Sequence, residues 1–217
     1  MSQCQCQGIE SVFDRQMAET QFQRERARGP QKTTRLLVDA LRERGVEGKT
    51  LLDIGGGIGA VQHMLLEAGI ASVTGVDASS AYIEAAKEEA RLRGFAHRAR
   101  FHHGNFVERA GEIGHADIVT LDRVICCYDD MNALVTASAG KVRDSYGLVF
   151  PRSAWWTRLG VRLLNFSLWI RGNPFRIFAH RTEDVELILR RHGLSRIYRK
   201  TRGMWQVAVY ARPGGAA

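Results

Sequence analysis

Proline and cysteine are both scarce in this chain, with four of each among 217 residues. The cysteines fall in two close pairs, Cys4/Cys6 and Cys126/Cys127. Neither pair has the C-x2-C or longer spacing of a strong zinc site, so no metal is expected. A Cys-x-Cys so near the start would suit a soft metal, a redox partner, or merely incidental thiols in a terminal tail. Long apolar runs are missing too: none approaches the ~18–20 residues of a membrane span. The opening MSQCQCQGIES has neither the basic start nor the apolar centre of a secretory signal. A cytoplasmic protein with reduced thiols is therefore expected. Finally, acid is lacking in one half. Residues 141–217 carry 15 Lys/Arg against 4 Asp/Glu, a net of +11, whereas residues 1–140 come to −3. Such asymmetry points either to an anionic partner (substrate, phospholipid surface or nucleic acid) or to a solvated basic face.

What is present is an ordinary globular composition, 45% hydrophobic and 25% charged, on a length that suits one α/β domain. Residues 9–28 read as a helix and form a helical lid or flexible tail with the rest of residues 1–30. A second helix starts near Gln31 and stops at Gly45. From there strands and helices alternate: KTLLDIG, then GAVQHMLLEAG; SVTGVD, then SSAYIEAAKEEARLRG; RARFHHGN; ADIVTLDRVI, then MNALVTASAGKVRD; and YGLVFP. This order implies right-handed crossovers and a mostly parallel sheet. Residues 152–180 break the rhythm with three of the four tryptophans, three of the nine phenylalanines and five arginines. They are expected to form a small helical cap inserted in the domain of residues 31–217. A helix with Thr182 as its N-cap follows, and two strands joined at Gly203 are expected to pair antiparallel at the sheet edge.

The glycine loop LLDIGGGIGA, residues 51–60, carries the chemistry. Gly55-x-Gly57-x-x-Ala60 fits the dinucleotide fingerprint, so an NAD-type oxidoreductase competes with a binder of S-adenosylmethionine. The full pattern, however, is Asp53-x-Gly55-x-Gly57-x-Gly59. An acid there opposes a pyrophosphate but suits a cationic ammonium, directly or through backbone and water. Asp77 ends the next strand, 22 residues after Gly55, where a carboxylate can accept from both ribose hydroxyls. Asn105 and Phe106 follow the third strand, where an amide can bond the adenine amino group and a ring can cover the base.

In these motifs the chain resembles the class I S-adenosylmethionine-dependent methyltransferases, over residues from about 30 to 212. The resemblance implies a Rossmann-like α/β fold: a seven-stranded, mostly parallel sheet with an antiparallel last strand and helices on both faces. It implies S-adenosyl-L-methionine as cofactor, held by Asp53, Gly55, Gly56, Gly57, Gly59, Asp77, Ala78, Asn105 and Phe106. Leu121, Asp122 and Arg123 would lie beside the methionine end. Asn105 stands where the family most often has Asp. Within the family the chain is most similar to the magnesium-protoporphyrin O-methyltransferases, in the LD-x-x-I strand end before a tyrosine, in YGLVFP, and in AHRTEDVELIL near a final QVAVYAR. That subgroup has a histidine before the tyrosine, where this chain has Cys126 and Cys127.

The expected reaction is O-methylation of a hydrophobic or aromatic small molecule bearing an anionic group. A carboxylate acceptor needs no general base, whereas a phenol or amine must lose a proton; Tyr128, His180 and Asp129 are the candidates, the first two also as catalytic groups. The aromatic segment 152–180 suits a flat acceptor, but it equally suits packing on the sheet or a peripheral position on a membrane. An RNA or protein acceptor would use the basic C-terminal half. Against nucleic acid, no Asn-Pro-Pro-Tyr-like tetrad follows the fourth strand, which ends in LDRV. Monomer and homodimer stay open.

Overall fold

The computed structural model describes residues 3–214; the side chains of residues 3–7, and with them the Cys4/Cys6 pair, lie outside the described residues. In chain order the elements are α1 (Gln3–Val12), α2 (Arg15–Arg28), α3 (Lys32–Arg42), β1 (Thr50–Ile54), α4 (Ala60–Glu67), β2 (Ser72–Asp77), α5 (Ser80–Leu92), β3 (Ala99–His103) and α6 (Phe106–Arg109). They continue with β4 (Ala116–Asp122), α7 (Met131–Ala139), β5 (Val142–Pro151), α8 (Trp155–Ile170), α9 (Thr182–Arg191), β6 (Ser195–Arg202) and β7 (Trp205–Ala211).

The seven strands form one sheet in the order β3-β2-β1-β4-β5-β7-β6. β1 to β5 are parallel, and β7 runs antiparallel between β5 and β6. This is the expected Rossmann-like sheet with its reversed final strand, and the hairpin turns at Gly203 as expected. The strands' two-residue period divides the core into two layers. Leu51, Val73, Ile118, Val207 and Val209 face α3 and α4, whereas Leu52, Val119, Leu148, Ala208 and Tyr210 pack with α7 and α9. Both faces are covered, as a parallel sheet requires.

Three boundaries differ from the sequence reading. The helix expected over residues 9–28 is two helices, because Asp14 caps α2 by accepting from the Met17 amide at 2.8 Å. The helix expected to include KVRD ends at Ala139, and β5 already begins at Val142, pairing with Ala116 of β4. The N-cap of α9 is Arg181, and Thr182 is the first helical residue. Its hydroxyl instead accepts from Gln206 Nε2 at 2.8 Å, an inter-element bond that local sequence does not announce.

Candidate cofactor and acceptor site

Sheet order reverses between β1 and β4, and at the carboxyl ends of these strands opens a cavity of about 640 Å³. One end is walled by Gly55, Gly56, Gly57, Asp77, Ala78, Asn105 and Phe106, the other by Trp156, Gly160, Leu164, Phe175, Met204 and Trp205. The strands deliver the first set, and α8 with the chain after it delivers the second.

Beneath the glycine loop, Thr120, Asp53 and Gly75 stand side by side on β4, β1 and β2. Asp53 is fully buried. Its Oδ1 accepts from Thr120 Oγ1 at 2.6 Å and its Oδ2 from Gln62 Nε2 at 3.0 Å. Burial pushes its pKa up to about 7, partly opposed by those two donors. Asp53 does not wall the cavity; it supports the loop from below. The glycines above it follow from this. A Cβ on Gly56 would lie 2.3 Å from Asp53 Oδ2 and 2.4 Å from Gln62 Nε2. Gly57 has a φ of +57°, and a Cβ there would meet no protein atom within 4 Å, leaving bare backbone at the cavity wall. Gly55 abuts Val124, and Gly59 abuts His63 behind the cavity. Leu121, also fully buried, belongs to the core layer beneath the site.

Asp77 lies at the cavity edge, almost wholly buried. Its Oδ2 accepts from the Gly57 amide at 3.0 Å and its Oδ1 from the Ser79 amide at 2.9 Å. Burial raises its pKa, and these two amides oppose the rise. Asn105 caps α6 and joins a small network. Its Oδ1 accepts from the Val107 amide at 3.2 Å and from the Tyr128 hydroxyl at 2.9 Å, while Nδ2 donates to Glu108 at 2.6 Å. Phe106 belongs both to the core and to the cavity wall.

Asp122 and Arg123 end β4. Asp122 Oδ2 accepts from Thr34 Oγ1 at 2.5 Å, and its Oδ1 accepts from Arg123 Nε at 3.0 Å. Arg123 has a φ of +63°, the positive φ of a non-glycine residue among the described residues. Such backbone is sparsely populated and clusters at functional sites. Its guanidinium also donates to Thr34 at 2.8 Å and lies 5.8 Å from the Trp205 ring centre. Thr34, on α3, escaped the sequence reading because its partner is 88 residues away. So did Gln62, although its place in the first turns of the helix after the loop was a signal within reach.

Tyr128 lines the cavity, and burial pushes its pKa up to about 12. His180 does not line it. Its Nε2 donates to the Tyr128 carbonyl at 2.9 Å, and its ring stacks on Phe178. Burial lowers the His180 pKa. The geometry thus makes His180 a brace for the Tyr128 loop. Cys127 lines the cavity with Cys126, their sulfurs 3.8 Å apart.

The near side of the cavity is lined by α1, α2 and the turn between them, which contribute Ile9, Gln21, Glu25 and Phe13. Phe13 packs edge-on to Phe175 and tilted against Tyr82. Its carbonyl accepts from Ser79 Oγ at 2.6 Å, and Glu10 meets His103 at 3.0 Å.

Comparison with known proteins agrees with this arrangement. The methyltransferase domain family matches residues 52–144, from the glycine loop to the start of β5. The ribosomal protein L11 methyltransferase of Deinococcus radiodurans is 37% identical over 76 residues, 35% of this chain. The match spans 28% of that relative's length. Among solved structures, magnesium protoporphyrin IX methyltransferase of Synechocystis PCC 6803 with bound SAH superimposes with a TM-score of 0.72 at 19% identity. It covers 96% of this chain and 99% of that one. An O-methyltransferase family protein from Burkholderia thailandensis gives 0.65 at 20% identity, covering 82% and 56% respectively. Residues 52–144 thus match the methyltransferase domain family, and the chain shares the fold of the methyltransferases on which it superimposes.

Proposed function

We propose that the chain is an S-adenosylmethionine-dependent methyltransferase that methylates an oxygen of a hydrophobic or aromatic small molecule bearing an anionic group. The observation that carries this reading is the single cavity shared by a bare glycine loop with Asp77 at one end and the aromatic wall of Trp156, Phe175 and Trp205 at the other. The residues fit the cofactor: Gly57 offers backbone without a side chain, and Asp77 offers a carboxylate at the right strand end for ribose hydroxyls. Asn105, Phe106 and Ala78 would surround the adenine, with Asp122 near the methionine end and Asp53 holding the loop. When bound, the cofactor supplies an electrophilic methyl group on a sulfonium.

The chain's own part is positioning and water exclusion. Helices α1 and α2 close over the cavity, and the apolar wall from α8 desolvates a ring system. Tyr128, bonded to Asn105 and with its pKa near 12, is poorly placed to take a proton near neutral pH. That favours an acceptor oxygen already ionised, such as a carboxylate. Arg123, tied to Asp122 and Thr34, would attract a second, remote anionic group; pairing with the reacting oxygen would blunt its attack. Similarity to the ribosomal protein L11 methyltransferase favours methylation of a protein as a second reading.

Incubation of the chain with methyl-tritiated cofactor and a cell extract separates the two. Label in the small-molecule fraction, released by mild base as expected of an ester, is the predicted result. Label confined to macromolecules overturns the small-molecule reading.

A further inference from the structure

Helix α8 has two unlike faces. Thr157 and Val161 are buried and line the cavity with Trp156, Gly160 and Leu164. On the opposite side, spacings of four and three bring Trp155, Leu159, Leu163, Phe166 and Ile170 into one stripe, with Trp169 stacked beside Phe166 at 5.9 Å. None of these six walls the cavity. Trp155 is 76% exposed, Leu163 62% and Ile170 65%. Scattered exposed apolar residues are normal, but a continuous stripe of this kind marks an interaction surface.

Charge decides what covers it. Arg158 and Arg162 flank the stripe, and between Asp144 and Glu183 the chain has six arginines and no acid. A second copy packing symmetrically would present the same patch, arginine against arginine with no carboxylate in the segment to relieve them. An anionic lipid surface supplies both missing halves: phosphates for the arginines and an acyl boundary for the tryptophans. At 16 residues, α8 is about 24 Å long. No described helix is long and apolar enough to cross a membrane, so the fitting orientation is along the surface.

We propose that α8 docks the protein on an anionic phospholipid surface, with its outward stripe in the headgroup–acyl boundary and Arg158 and Arg162 on lipid phosphates. Because the stripe lies outside the cavity, docking does not depend on the methyl-transfer reading.

The test is co-sedimentation of the full chain, without cofactor, with phosphatidylcholine vesicles containing or lacking phosphatidylglycerol, with tryptophan emission followed in parallel. Binding to the anionic vesicles with a blue shift is expected. The double change Arg158→Gln, Arg162→Gln should weaken partition about thirty-fold, on the order of five-fold per basic residue. Leu163→Ser with Phe166→Ser should abolish it, and both variants, altered only at exposed positions, should keep the parent's melting temperature. Equal partition into neutral and anionic vesicles, or variants that bind like the parent, would overturn the proposal. So would a dimer in sedimentation velocity that Phe166→Ser dissolves, with no vesicle binding.

Discussion

At the scale of single residues, Asp53 and His63 are buried with opposed effects on stability. Burial raises the Asp53 pKa from 3.8 to about 7. Between those values the folded chain holds a proton that the unfolded chain has released, so stability from this group is lost as pH rises. Burial lowers the His63 pKa from 6.5 to about 4. There the unfolded chain binds the proton, and stability grows with pH. The two slopes offset each other between about pH 4 and 6.5. Asp53→Asn should expose the His63 slope, because Gln62 can turn its amide and offer Oε1, which has no partner in the native arrangement. Denaturant titrations should show the variant gaining stability from pH 4 to 6.5. At pH 8 it should exceed the parent by on the order of 2 kcal/mol; a profile parallel to the parent's would contradict this account. Gly56→Ala, which drives a methyl into Asp53 and Gln62, should cost about 1–3 kcal/mol, measured by the same titration. Asp77→Ala removes acceptors for two backbone amides and for the proposed ribose hydroxyls. Calorimetry should show affinity for S-adenosylhomocysteine about a hundred-fold weaker, and unchanged affinity would remove Asp77 from that role.

At the scale of elements, α1 and α2 form a cover anchored by Phe13 between Tyr82 and Phe175, by Ala18 and Phe22 in the same cluster, and by Glu10 against Ser80 and His103. A Cβ on Gly8 would lie 2.7 Å from the Phe175 backbone nitrogen, so the first helix sits tightly against the chain after α8. Phe13 belongs to a small cluster apart from the two layers that pack on the sheet. Phe13→Ala should therefore act locally, weakening the cover by about 3 kcal/mol. Amide hydrogen exchange should speed up across α1 and α2 while β1 and β4 stay protected. Equal acceleration everywhere would mean that the helices are integral to the core instead. Element α8 shows where a sequence reading stops. Its aromatic content marked a cap, and half of that cap does wall the cavity. Which face of a helix meets solvent depends on what the sheet offers it, and Trp155, Phe166 and Trp169 point outward.

At the scale of the molecule, the βα alternation, the seven strands and the reversed last strand were legible because hydrophobic periodicity and glycine stops are local signals. The glycine loop and Asp77 were legible for the same reason: their constraints act within a few residues. The Thr34–Asp122–Arg123 cluster was not, since it joins residues 88 apart and rests on a strained backbone that no local pattern announces. Nor was the burial of Asp53 beneath the loop, which follows from strand register. Methyl transfer by this chain requires the cavity between the glycine loop and α8 to be a cofactor site. Isothermal titration of the full chain with S-adenosylhomocysteine, and separately with NAD, tests this most directly. One molecule of S-adenosylhomocysteine bound per chain, with no heat from NAD, is the predicted result; no binding of the former, or preference for NAD, would contradict it.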